Sequence, residues 1–151
     1  TLDKAREAGH AVAASRAEFF ATSDVLSLHV RYSPATRHLV TREDLARMKP
    51  GALFVNTSRA ELVEPGALAQ ALALGRPGRA AVDVYEVEPV PAGQPLLALD
   101  NALCTPHLGY IERDSHEFAF GNAFEQVQAY ARGEPINVCT PQAARHPATA
   151  A

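Results

Sequence analysis

The sequence predicts an α/β fold with a doubly wound parallel sheet, and three observations carry that prediction. Short apolar runs recur along the chain, at Ala11 to Ala14, Val25 to Leu28, Ala52 to Val55, Ala80 to Val82 and Ala102 to Cys104. Within each run the apolar residues are nearly continuous instead of alternating, as in strands covered on both faces. Helix-type segments separate the later runs, giving the strand-helix alternation of crossover-connected parallel sheets. Taken in order, Thr1 to Ala8 reads as a helix start with no strand before it. Ser15 can cap a helix carrying Phe19 and Phe20, and Thr41 precedes a helical Glu43, Asp44, Leu45 and Met48. Glu64 and Pro65 open a helix through Leu68, Leu72 and Leu74 that stops at Gly75. A longer helix is expected from about Glu112 to Ala131, with Phe120, Phe124 and Val127 spaced for one buried face and Gly133 ending it. Thr140 to Ala151, rich in alanine and proline, reads as a loose tail.

Composition narrows the function classes. The 151 residues are one domain's worth. At 47% hydrophobic and 21% charged, the chain resembles an ordinary globular protein. Fourteen basic against seventeen acidic residues leave a net charge of −3, and 12 Arg and 2 Lys are scattered singly, so nucleic-acid binding lacks electrostatic support. No apolar run approaches the ~20 residues of a membrane span, so no membrane partner is expected and a cytoplasmic location is the default. Cys104 and Cys139 lack the spacing of a disulfide framework or zinc site, and Cys104, His107 and His116 have no compact ligand spacing, so no metal is expected.

Ligands of open α/β sheets bind beyond the carboxyl ends of the strands, so the polar residues following each apolar run are the candidates. His29 follows the second run; Asn56, Thr57, Ser58 and Arg59 follow the third; Asp83 follows the fourth; Thr105, Pro106 and His107 follow the fifth. Any one of these alone is an ordinary turn or structural residue. Together, a histidine, a carboxylate and an arginine at one edge supply a proton donor, a group to orient it, and a clamp for a substrate carboxylate.

The stretch from Thr36 to Arg59 (TRHLVTREDLARMKPGALFVNTSR), then DVYEVEP from Asp83 to Pro89 and TPHLGY from Thr105 to Tyr110, resembles the NAD-dependent D-2-hydroxyacid dehydrogenases, a group that includes phosphoglycerate, glyoxylate and hydroxypyruvate dehydrogenases. The resemblance covers roughly Thr1 to Val138. It implies a partial Rossmann-like sheet lacking its first two strands, followed by a long C-terminal helix. Residues 1–110 would form the C-terminal part of a nucleotide-binding domain, 111–138 a helix returning toward a substrate domain, and 139–151 a flexible tail. It also implies the site: Arg59 grips the substrate's carboxylate and carbonyl, His107 is the general acid/base and Glu88 its partner, with Glu86 a rival two positions earlier. His29, Thr36, Thr57, Ser58, Asp83, His107 and Gly109 would line the cofactor, Asp83 at the nicotinamide carboxamide.

The implied activity is hydride transfer between a nicotinamide cofactor, NAD or in its place NADP, and a small 2-oxo or D-2-hydroxy acid, by a homodimer. The competing reading is a non-catalytic, cofactor-responsive scaffold, disfavoured because a scaffold has no need of Arg59, Glu88 and His107 together. There are departures from the family's pattern. Ala60 stands where glycine commonly follows the arginine, a mild change if the local φ is negative. Pro77 and Arg79 interrupt a segment that is usually apolar or small. The nine glycines contain no Gly-x-Gly, so the turn that would approach phosphate is missing from this stretch, and the fragment alone is expected to be inactive and prone to associate.

Overall fold

The computed structural model describes residues 2–140 and contains one sheet of four parallel strands, β1 (Val25–Ser27), β2 (Leu53–Asn56), β3 (Arg79–Val82) and β4 (Ala102–Cys104), in the order β1-β2-β3-β4. Val25 lies opposite Leu53, Leu53 opposite Arg79, and Ala80 opposite Ala102, so all four strands run out at one common edge. The helices are α1 (Leu2–Glu7), α2 (Arg16–Thr22), α3 (Arg42–Arg47), α4 (Ala67–Ala73) and α5 (Arg113–Ala131). The α/β class, the Rossmann-like parallel sheet and the C-terminal helix are thus as expected. The chain divides into two compact units, one ending at Gly109 and one beginning at Tyr110. Among the described residues, no helix is long and apolar enough to cross a membrane.

Each crossover is started by its own local chemistry. Ser15 caps α2 by accepting the Glu18 N–H at 3.1 Å. Thr41 and Asp44 form a reciprocal capping box at the head of α3. Gly66, with φ of 69°, provides the left-handed residue from which α4 departs. The core lies between these helices and the sheet: Leu45, Met48, Phe54 and Leu62 are fully buried, with Leu68 and Leu72 of α4 joining them. Each such side chain contributes about 1.5–3 kcal/mol by leaving water. Leu74, at the end of α4, is exposed instead.

The two departures from the usual sequence pattern sit comfortably. Ala60 opens a short 3-10 turn and does not have a positive φ. Pro77 is buried and Arg79 begins β3 as an exposed residue. The residue that cannot change is Gly78, where any Cβ would lie 1.8 Å from the Pro50 carbonyl oxygen.

Two expectations are corrected. Ala11 to Ala14 forms no strand, because a strand needs a ladder partner and this segment has none among the described residues; the Ala14 N–H goes instead to Glu18 Oε2 at 2.6 Å. In α5 the expected apolar stripe is present but not buried: Phe120, Phe124 and Val127 are all exposed, and Ala129 is the buried residue of that helix. Periodicity identifies which face of a helix is apolar, and carries no information on what covers it. The expected tail lies, from residue 141 on, outside the described residues.

One polar link crosses between helices. Arg16 donates through Nε to Asp44 Oδ1 at 2.8 Å and through Nη2 to Oδ2 at 2.6 Å, while Thr41 donates its N–H and hydroxyl to Oδ2 at 2.8 and 2.7 Å. Burial pushes the Asp44 carboxyl up, but the bonds from Arg16 and Thr41 outweigh it and hold it at about 2, below the ordinary 3.8. A depressed folded-state value means that this contribution is complete above 3.8 and is lost as pH falls toward 2. Asp44→Asn should therefore cost about 1–2 kcal/mol at neutral pH, tempered by the half-exposed Arg16. Urea midpoints should show the gap to wild type closing as pH drops below 3.8; a gap that stays constant would assign the effect to packing instead of charge.

Candidate active site

Because the strands end in register, the loops that follow them meet at the carboxyl edge of the sheet. His29 follows β1, Thr57 to Arg59 follow β2, Asp83 follows β3, and Thr105 to Gly109 follow β4. What fixes these loops is a set of short polar contacts.

The loop after β4 turns on Asp83. This buried carboxylate accepts the Thr105 hydroxyl at 2.5 Å and the Leu108 N–H at 2.7 Å on Oδ1, and the Gly109 N–H at 2.6 Å on Oδ2. Burial raises its pKa, yet these three bonds and the neighbouring His107 leave it lowered, so Asp83 is ionised at neutral pH. Between Thr105 and Leu108 the chain passes through His107, whose φ of 57° lies in the left-handed region. A bulky residue held there costs conformational energy that the surrounding contacts must supply.

That turn delivers the imidazole to a carboxylate. His107 Nδ1 lies 2.7 Å from Glu88 Oε2, and the other oxygen, Oε1, accepts the Tyr85 N–H at 2.9 Å. Tyr85 is itself fixed by donating its hydroxyl to the Thr105 carbonyl at 3.0 Å. Burial, then Cys104, push the Tyr85 phenol up, so that hydroxyl keeps its proton. The Glu88 carboxyl is lowered first by the Tyr85 N–H, then by His107 and by the charge of Arg59. Of the two candidate carboxylates it is Glu88 that meets the ring. With Nδ1 directed at a carboxylate, Nε2 is the nitrogen left to exchange a proton with a ligand.

The loop after β2 is organised by Asn56, which the sequence places among the strand-end candidates without a role of its own. Buried at the strand end, it accepts the Ser58 N–H at 3.1 Å on Oδ1 and donates through Nδ2 to the Arg59 carbonyl at 2.9 Å. An Asn closing a loop on its own backbone immediately after an apolar run is a signal that could have been read. Ser58 reaches across to the preceding loop, donating its hydroxyl to the Val30 carbonyl at 3.1 Å. Arg59 is exposed and donates through Nη1 to the Ser58 carbonyl at 2.7 Å.

The residues expected at the cofactor divide into two sets. His29 Nε2 lies 2.9 Å from Ser27 Oγ at the end of β1, and Thr57 is exposed beyond β2. By contrast, the hydroxyls of Thr36 and Ser58 are used within the loops, that of Thr36 on the Arg31 and Ser33 carbonyls. Asp83 and the Gly109 N–H are joined to each other. An apolar groove of about 610 Å³ reaches this edge from the Ala11 to Ala14 segment through Leu28, His29 and Val30.

Comparisons with known proteins bear on this geometry. Residues 2–109 match the family described as D-isomer specific 2-hydroxyacid dehydrogenase, NAD binding domain. The chain is 42% identical over 112 residues to the D-3-phosphoglycerate dehydrogenase of Methanocaldococcus jannaschii, a match covering 74% of this chain and 21% of that protein. Among solved structures it is similar to a D-3-phosphoglycerate dehydrogenase-type oxidoreductase from Ralstonia solanacearum, with 50% identity, a TM-score of 0.88, and coverage of 96% of this chain and 43% of that one. It is similar also to a D-isomer specific 2-hydroxyacid dehydrogenase from Xanthobacter autotrophicus Py2 in complex with NADPH and MES, with 37% identity, a TM-score of 0.61, and coverage of 85% and 52%. The chain thus spans about a fifth to two fifths of the length of the curated relatives it matches.

Proposed function

The chain belongs to the D-isomer specific 2-hydroxyacid dehydrogenases, whose NAD-binding domain it matches, and on that premise we propose that it serves the interconversion of a small 2-oxo acid and a D-2-hydroxy acid. The nicotinamide, of NAD or of NADP, supplies or takes up the hydride. Hydride arrival at a 2-oxo carbon leaves negative charge on oxygen, and His107 Nε2 delivers the proton there. Glu88 fixes the ring by its contact with Nδ1 and places a negative charge beside it. Arg59 holds the substrate's carboxylate by two parallel hydrogen bonds, which lysine cannot reproduce. A cytoplasmic location completes the reading, in keeping with the free thiols of Cys104 and Cys139, and the complete protein is proposed to act as a homodimer.

The observation that carries the proposal is the His107–Glu88 contact of 2.7 Å at the carboxyl edge, within the field of Arg59. The test is NADH-dependent reduction of a panel of 2-oxo acids by the native polypeptide, with chiral analysis of the product. Turnover of none of them would overturn it. Within an active enzyme, Glu88→Gln removes the negative charge beside the proton donor, so the pH profile of reduction should shift to lower pH. An unchanged profile would show that the contact does not tune the proton donor.

A further inference from the structure

We infer that Arg31 is a contact for a phosphate of the cofactor, an inference that rests on the dehydrogenase reading and adds a second cation to its site. Two arginines flank a single bond between loops: the Ser58 hydroxyl donates to the Val30 carbonyl at 3.1 Å, Arg31 follows Val30, and Arg59 follows Ser58. The backbone at Arg31 is firmly held. Its carbonyl accepts the Thr36 hydroxyl at 2.9 Å, Thr36 Oγ1 accepts the Ser33 N–H at 2.8 Å, and the Ser33 carbonyl accepts the N–H groups of Thr36 and Arg37 at 3.0 Å. The guanidinium is exposed and, among the described residues, makes no hydrogen bond and no ion pair. Arg37 and Arg79 are likewise exposed and without an ion pair among the described residues, whereas Arg6, Arg16, Arg47 and Arg113 each pair with a carboxylate, so it is the position of Arg31 at the carboxyl edge that sets it apart. The loop thus fixes the backbone of an exposed cation at the carboxyl edge of the sheet.

The proposed reaction brings two kinds of anion to this edge, the carboxylate of the acid and the phosphates of the dinucleotide. Arg59 acts on Glu88, the partner of His107, and so belongs with the reacting end. Strand order places the loop after β1 farthest from the loop after β4 that carries His107. With strands spaced by about 4.8 Å, those two ends of the edge are roughly 14 Å apart. A dinucleotide with its nicotinamide beside His107 therefore extends its phosphates toward β1, where Arg31 stands. Arginine suits the task, because its planar fork matches phosphate oxygens.

The test is calorimetric titration of the native polypeptide with NADH alone and with NADPH alone, for wild type, Arg31→Ala and Arg79→Ala. Arg79 is an exposed arginine at the start of β3, the opposite edge of the sheet, and controls for overall charge. Arg31→Ala should weaken binding by about tenfold to a hundredfold, the scale of a charge-assisted hydrogen bond, while Arg79→Ala leaves it unchanged. Loss for both cofactors places Arg31 at the pyrophosphate, and loss for NADPH alone places it at the ribose phosphate; either supports the inference. Unchanged affinity for both, or equal loss in Arg79→Ala, overturns it. If wild type binds neither cofactor, it is the dehydrogenase reading beneath it that falls.

Discussion

His107→Ala should lower kcat for 2-oxo acid reduction by about 10²- to 10⁴-fold, the usual cost of removing a general acid. The loss should fall on kcat more than on KM, because the proposed carboxylate grip is that of Arg59 and the proton is needed only as charge develops on the oxygen. The geometry sharpens that expectation. Nδ1 is engaged with Glu88 at 2.7 Å, so a residue supplying only one nitrogen at the wrong place cannot substitute. His107→Gln should accordingly be about as impaired as alanine, although it can still donate a hydrogen bond. Single-turnover measurements with saturating cofactor and oxo acid would check it. A variant that keeps kcat and loses only KM would make His107 a binding group and would move the proton donor elsewhere.

The elements visible in the sequence were those whose signal is local. The runs at Val25, Ala52, Ala80 and Ala102 are short and continuously apolar, and each became a strand within a residue or two of its expected bounds. Ala11 to Ala14 carries the same pattern and did not, because a strand is completed by a neighbouring backbone that no stretch of apolar residues can supply. The gathering of His29, Arg59, Asp83 and His107 at one edge followed from strand polarity alone, since parallel strands all present the same end. How each loop is held was less legible. That Asn56 shapes the Arg59 loop, that Thr36 and Ser58 use their hydroxyls on carbonyls, and that Tyr85 backs Glu88 are contacts between loops, invisible to spacing. The choice of Glu88 over Glu86 rested on motif register, and the ring contact supplies what register could not, a distance.

Asp83→Ala should reduce kcat by about 10²-fold or more, although Asp83 touches neither His107's ring nor the Glu88 carboxylate through any hydrogen bond of its own. Its effect runs through backbone: the carboxylate gathers the N–H groups of Leu108 and Gly109 and the Thr105 hydroxyl, and the left-handed His107 lies inside that clasp. Removing it takes the shared acceptor from three donors and releases the one conformation that sends the imidazole to Glu88, at a cost in stability of about 1 kcal/mol for each hydrogen bond lost at these partly exposed groups. Family resemblance offers a rival role, contact with the nicotinamide carboxamide, and the two roles separate by measurement. A carboxamide contact predicts weaker NADH binding as the leading defect. A turn-holding carboxylate predicts a fall in kcat with NADH affinity largely kept. It also predicts that the alkaline limb of the pH profile for reduction moves to lower pH, because loss of the ionised Asp83 takes a negative charge away from the neighbourhood of the proton donor. Asp83→Asn decides the point, since it keeps one oxygen acceptor and the side-chain volume but loses the charge. The pH displacement should persist in Asn with a smaller loss of kcat than in Ala. If both variants bind NADH poorly and leave the pH profile of bound enzyme unmoved, Asp83 acts on the cofactor and the His107 turn holds without it.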